Sequence, residues 1–259
     1  MSAVEEESPP REGLLTGGNV ADAVVRVGTT VRKPVTAATP GVEAVLDHLH
    51  QRGFEGAPRT LGRDDKGRQV LEFVPGTTAM ELPAFTPDEL RRLGRLIRAL
   101  HDAMEDFSPP VDAQWDMPIP DPTDGRLICH NDLAPWNLVV DGARWVFIDW
   151  DGAGPASRSW DLAYAAQSFV PLQAGGLVAE AAPRLRALVD GYGLDDGERR
   201  EFPGLIAAHT RGMFDLLVRG ARTGEQPWAR LHAEGHANHW GPAAEYIESH
   251  QAAWLDALL

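Results

Sequence analysis

The chain has 259 residues and sets 24 Lys and Arg against 38 Asp and Glu, for a formal charge of −14 at pH 7. It is long enough to bury a substantial core and too acidic to offer the basic surface that nucleic acid requires. Its single cysteine, Cys129, excludes an intramolecular disulfide, no apolar run approaches the roughly 20 residues that span a bilayer, and the acidic start Met1-Ser2-Ala3-Val4-Glu5-Glu6-Glu7 lacks the pattern of a secretory signal. The expectation is a cytoplasmic protein with neither a nucleic-acid nor a membrane partner.

Residues 1–11 are acidic and Pro-containing and read as a fraying terminus. From Leu14 the chain enters a β-turn-β element around Gly17-Gly18, followed by strands over Val24–Val27 and Thr30–Lys33 with a Gly28-Thr29 turn between them. Thr39-Pro40 supplies an N-cap and first-turn proline for a helix with Val42, Val45, Leu46 and Leu49 on one face and Glu43 in its first turn. Pro58–Gly62 and Gln69–Val74 flank a polar turn and read as a hairpin, which Pro75-Gly76 ends.

Thr86-Pro87-Asp88-Glu89 is a capping box, and Leu90, Leu93, Ile97, Leu100 and Met104 continue it as an apolar helical stripe. His101 reads as a hydrogen-bonded histidine beside that core. Residues 107–125 form a long connection rich in Pro and Asp. Cys129 falls on a strand, where a small buried thiol is expected. Beyond Asp161 the chain is mainly helical, over 162–169, 183–192, 195–217 and 243–258.

The most informative segment is His130-Asn131-Asp132-Leu133-Ala134-Pro135-Trp136-Asn137, followed by an Asp141-Gly142 hairpin and Val146-Phe147-Ile148-Asp149-Trp150. Transfer of a γ-phosphoryl group needs an oriented acceptor hydroxyl and a divalent cation held against the phosphates. Asp132 suits the first task, Asn137 and Asp149 the second. The kinase catalytic-loop pattern is matched at every fixed place except Asn131, which stands where arginine would be. Under this reading the upstream strand supplies the phosphate-binding lysine, Lys33, and the Gly17-Gly18 turn lets the backbone approach the phosphates. Glu43 offers a carboxylate to position that lysine, with a solvated first-turn acid as the alternative.

These residues, together with Ile148-Asp149-Trp150-Asp151 and Trp160-Asp161-Leu162-Ala163, resemble the aminoglycoside phosphotransferase and choline kinase superfamily, small-molecule kinases with a protein-kinase-like fold. The resemblance implies an α+β two-lobed fold with a small antiparallel β N-lobe over 12–76 and a larger, mainly helical C-lobe over 77–259. It implies that Asp132 is the catalytic base, that Asn137 and Asp149 bind Mg2+, and that Asp161 braces the catalytic loop, where His130 lends support. Glu72-Phe73-Val74-Pro75-Gly76 resembles the family's hinge, whose backbone at Glu72 and Val74 would recognise the base of ATP or GTP.

The acceptor is expected to be a small, cationic molecule such as an aminoglycoside, a related antibiotic or an amino alcohol. Trp115, Asp116, Asp151, Asp215, Glu234 and Trp240 are candidate acceptor contacts. Asp151 assists at the metal or pairs with Arg158. Glycine is common in the family where Asn131 stands. No Asp-Phe-Gly or Ala-Pro-Glu follows, and eleven residues separate Asp149 from Asp161, too few for an activation loop that docks a polypeptide. His232, His236 and His239 are read as surface or core-edge residues rather than a metal site. The alternative from another class is a catalytically silent immunity protein that sequesters a toxin or antibiotic; the oligomeric state is left open.

Overall fold

The computed structural model describes residues 12–14 and 24–259, so residues 1–11 and the Gly17-Gly18 turn lie outside the described residues. Five short strands form one antiparallel sheet: β1 (Glu12–Leu14), β2 (Val25–Val27), β3 (Thr30–Lys33), β4 (Thr60–Arg63) and β5 (Gln69–Glu72), in the spatial order β1-β2-β3-β5-β4. Helix α1 (Thr39–Gln51) connects β3 to β4. The four residues of its apolar stripe, Val42, Val45, Leu46 and Leu49, are all buried, each contributing about 1.5–3 kcal/mol.

This helix starts one residue earlier than the sequence suggests. Ala38 holds the cap position, while the Thr39 hydroxyl accepts the Thr36 N–H at 2.9 Å. Glu43 therefore lies beyond the first turn, where the helix dipole is weak.

The chain leaves the sheet through Val74-Pro75-Gly76. Gly76 has φ +133°, and a Cβ there would lie 2.5 Å from the Val140 carbonyl oxygen, so only glycine passes this point without displacement. Next come β6 (Thr77–Thr78), α2 (Pro87–Ala103), β7 (Leu127–Cys129), β8 (Leu138–Asp141), β9 (Arg144–Phe147) and β10 (Gly154–Ala156). β6, β8 and β9 form one small sheet and β7 with β10 another.

The rest is helical: α3 (Arg158–Phe169), α4 (Val178–Tyr192), α5 (Asp196–Thr223), α6 (Trp228–Ala233), α7 (Ala237–Ser249) and α8 (Gln251–Leu258). The architecture is the expected α+β arrangement of a small antiparallel sheet with its helix and a larger helical part.

The Thr86 capping box forms as read, with the Glu89 carboxylate accepting the Thr86 N–H at 2.7 Å. α2 buries its stripe against α4, and a Cβ at either Gly94 or Gly191 would collide with the facing helix's backbone. All four helical segments read beyond Asp161 differ in their bounds, and α5 runs on to Thr223, past the 217 of the sequence reading. α3 begins four residues earlier, because the Ser157 hydroxyl accepts the Trp160 N–H. α4 begins before Pro183, which the helix accommodates in its interior. The segment read as one helix over 243–258 is two, broken at His250, whose backbone leaves the helical region.

Candidate active site

β7 delivers the loop His130-Asn131-Asp132. Cys129, at its end, is buried against the Ala156 and Ser157 carbonyls, and burial pushes its thiol well above the ordinary range, as suits a packing residue rather than a nucleophile. Asn131 has φ +61°, the left-handed region that Asn tolerates better than most residues. Its side-chain Nδ2 donates to the carbonyl oxygens of Gly152 and Gly154, both at 3.1 Å. Asn131 thus accepts a backbone that suits glycine and adds two bonds across to the next segment.

The Asp161 carboxylate, on α3, accepts the main-chain N–H of Asn131 at 2.8 Å and of His130 at 3.3 Å. The buried His130 ring accepts the Asp132 N–H at 3.2 Å through Nδ1 and donates from Nε2 to the Ile148 carbonyl at 3.1 Å. One imidazole therefore ties the loop to the residue just before Asp149.

Asn137 closes a 3₁₀ turn over Pro135–Asn137. Its Nδ2 donates to Asp132 Oδ2 at 2.7 Å and to the Asp132 carbonyl at 3.0 Å. β8 and β9 pair Leu138 with Phe147, and the Ile148 N–H donates to the Asn137 carbonyl at 2.8 Å, so the hairpin returns Asp149 beside Asn137. Asp149 holds φ +59°, a strained conformation for a non-glycine residue. Its Oδ1 meets Lys33 Nζ at 2.6 Å, and Asp151 Oδ2 meets the same ammonium at 2.8 Å.

Burial pushes the Asp132 carboxyl up; His130 works the other way, Asp149 adds to the rise, and the net effect is a carboxyl above its ordinary value. Tyr164, buried in α3, is a further neighbour of this carboxylate that sequence reasoning did not find. For Lys33, burial favours the neutral amine, but Asp149 and Asp151 outweigh it and hold the ammonium above its usual value. The donor set fits a hard cation. The Asn137 amide nitrogen is committed to Asp132, and no donor among the described residues bonds Asn137 Oδ1 or the second carboxylate oxygen of Asp149, which leaves both to a cation.

Several expected residues stand elsewhere. Glu43 does not position Lys33: its carboxylate pairs with Arg63 at 3.1 Å, and Asp149 and Asp151 occupy the lysine instead. Asp151 is thereby drawn to Lys33, while Arg158 pairs with Asp102 and Glu105 rather than with Asp151. The Glu72 N–H is already bound to the Arg59 carbonyl and its carboxylate to Arg144, so Glu72 offers a base no donor. Val74 is buried, and its main chain makes no hydrogen bond among the described residues.

Trp115 packs against Gly41 at the start of α1 and Gly154 of β10, an anchor between elements rather than an open acceptor surface. Asp116 and Asp215 are exposed; Glu234 is held by Arg230 at 3.0 Å. Trp240 is buried beside Tyr164, ring centroids 6.3 Å apart, and so lies under the loop instead of facing solvent. Among the described residues, ligand atoms close enough for a metal occur at His101, Cys129 and Asp161, not at His232, His236 and His239. A cavity of about 610 Å³ between the end of α1, β4 and Arg144 touches none of Lys33, Asp132, Asn137 or Asp149.

A model of the phosphotransferase enzyme family matches residues 111–203. A trifolitoxin immunity protein from Rhizobium leguminosarum bv. trifolii is 34% identical over 204 residues, covering 74% of this chain and 77% of that one. Among solved structures, a choline/ethanolamine kinase family protein from Mesorhizobium loti superposes with TM-score 0.61 at 16% identity, covering 95% of this chain and 92% of that one. An amicoumacin kinase in complex with AMP-PNP, Ca2+ and Ami gives TM-score 0.63 at 11% identity over 92% of this chain and 88% of that one. At these identities the structures speak for the fold alone, which is protein-kinase-like. Taken with the sequence matches, they place the chain in the phosphotransferase enzyme family, within the superfamily of aminoglycoside phosphotransferases and choline kinases.

Proposed function

We propose that the protein transfers the γ-phosphoryl group of ATP or GTP to a hydroxyl of a small, cationic acceptor, an aminoglycoside or related antibiotic, a toxin or an amino alcohol. The observation that carries this reading is the convergence of two bonded pairs, Lys33 on Asp149 at 2.6 Å and Asn137 on Asp132 at 2.7 Å, joined by the Ile148 N–H on the Asn137 carbonyl at 2.8 Å, although Lys33 and Asp149 are 116 residues apart. Asp132, held by Asn137 and raised by burial, accepts the acceptor's proton. Lys33 leaves its carboxylate partners to neutralise the phosphates. Asn137 Oδ1 and Asp149 would hold Mg2+, which when bound offsets the negative charge of the phosphate oxygens. The net charge of −14 favours a cationic acceptor.

Asp132→Asn keeps an acceptor for the Asn137 amide and removes the base. Turnover should fall by about 10²–10⁴-fold with unchanged affinity for Mg2+-nucleotide; a variant with normal turnover would sink the role given to Asp132. The immunity-protein name of the 34% identical relative favours a second reading, sequestration of a toxin without phosphorylation. Cells carrying Asp132→Asn distinguish the two, because protection by sequestration survives the substitution and protection by phosphorylation does not.

A further inference from the structure

Asp161 is completely buried and carries three donors: the Asn131 N–H on Oδ1, and the His130 N–H and His101 Nε2 on Oδ2. On Oδ2 the histidine bond, at 3.0 Å, is shorter than the main-chain bond at 3.3 Å. His101 comes from α2 and is itself fully buried. With Nε2 facing a carboxylate, a proton sits on Nε2, and in the neutral ring Nδ1 is then an acceptor. Tyr192, on α4, fills that need with its hydroxyl at 2.8 Å, its ring edge-on to the imidazole with centroids 5.6 Å apart. Arg98 lies over the tyrosine ring, 5.7 Å from its centroid.

We infer that Tyr192 and His101 are positioning residues for phosphoryl transfer: a directed strut, Tyr192 to His101 to Asp161, that fixes the main chain at His130-Asn131 and through it the Asp132 carboxylate. The chemical role rests on the function proposed above; the mechanical role does not. Apolar side chains would fill this space without the desolvation that a histidine and a phenol suffer there. What they would lack is a donor for Oδ2 and a group that selects the Nε2–H form of the ring. Tyr192 thus reaches the loop main chain through three hydrogen bonds in series and touches neither acceptor nor nucleotide, acting as outer partners of metal-ligating histidines do.

The test uses the full chain with Tyr192→Phe, His101→Phe and His101→Gln. Amide hydrogen exchange at His130 and Asn131, nucleotide affinity with Mg2+-AMP-PNP, and turnover with Mg2+-ATP and any active acceptor are measured together. Tyr192→Phe and His101→Phe should speed exchange at those two amides by roughly tenfold and lower kcat by a similar factor, with AMP-PNP affinity unchanged. His101→Gln, whose amide can still donate to Asp161, should restore both in part.

A packing role alone predicts that Phe is tolerated and that Gln is the worse replacement. Wild-type exchange in His101→Phe, or equal rates in the Phe and Gln variants, overturns the proposal. If the wild-type protein turns over no acceptor, the exchange arm still decides the strut, and the failure belongs to the catalytic reading.

Discussion

Asn131 gives the sharpest prediction because two independent contributions to its stability can be separated by substitution. Its backbone has φ +61°, and its single amide nitrogen spends both hydrogens on the Gly152 and Gly154 carbonyls at 3.1 Å. Each neutral bond contributes about 1 kcal/mol net, and the left-handed backbone disfavours alanine by about 1–2 kcal/mol relative to glycine. Asn131→Ala loses both bonds, about 2 kcal/mol, and sits about 1 kcal/mol worse than asparagine in the left-handed region, for about 3 kcal/mol. Asn131→Gly loses both bonds and relieves the strain, but frees the unfolded chain, for about 2 kcal/mol.

Asn131→Asp keeps the shape and turns a carboxylate oxygen on two carbonyl oxygens, so it should be at least as damaging as alanine. Urea unfolding at neutral pH reads the series directly, and thermal unfolding should show about 2–4 °C per kcal/mol in a chain of this size. An alanine variant as stable as the glycine variant would refute the backbone part of this reasoning, and an unaffected aspartate variant the hydrogen-bond part.

Two further outcomes follow from the electrostatics. Asp151→Asn removes one of the two carboxylates that compete with phosphate for Lys33, so Mg2+-nucleotide should bind a few-fold more tightly by calorimetry; weaker binding would instead place Asp151 among the nucleotide contacts. His209 is fully buried between Trp160 and Tyr164, and burial lowers its pKa from 6.5 to about 4. Because the folded state favours the neutral ring, this stabilisation is complete above about pH 6.5 and is lost as pH falls towards 4, on the order of 3 kcal/mol in all. Denaturant midpoints between pH 7 and pH 4 should show that slope, and His209→Gln should flatten it.

What could be read from the sequence depended on distance along the chain. Asp132, Asn137 and Asp149 lie within one loop and one hairpin, so their spacing and an Asp-Gly turn were enough to bring them together. Lys33 needed the chemistry of phosphate binding to single it out. Its actual partners were not legible, because the choice between Glu43 and the Asp149-Asp151 pair depends on how α1 sits on the sheet, where Arg63 takes the glutamate.

β6 and β10 have two and three residues and carry no periodicity; their partners, β8 and β7, exist only in the folded chain. His101 lay on an apolar helical stripe and was read as core, which is where it is. That it ends on Asp161 became visible only when α2, α3 and α4 were assembled. Trp240, a candidate acceptor contact from its sequence position, is buried and packs beside Tyr164, a placement that no local pattern in the sequence gives.

The most direct test of the central claim is release of ADP and GDP by the purified protein with Mg2+, across aminoglycosides, peptide antibiotics, amino alcohols and sugars, with Asp132→Asn as the blank and nucleotide affinity measured alongside. The account predicts tight Mg2+-dependent nucleotide binding and acceptor-stimulated release with one of these classes, absent from the blank. No nucleotide binding and no release above the blank would contradict it and leave a kinase fold that only binds.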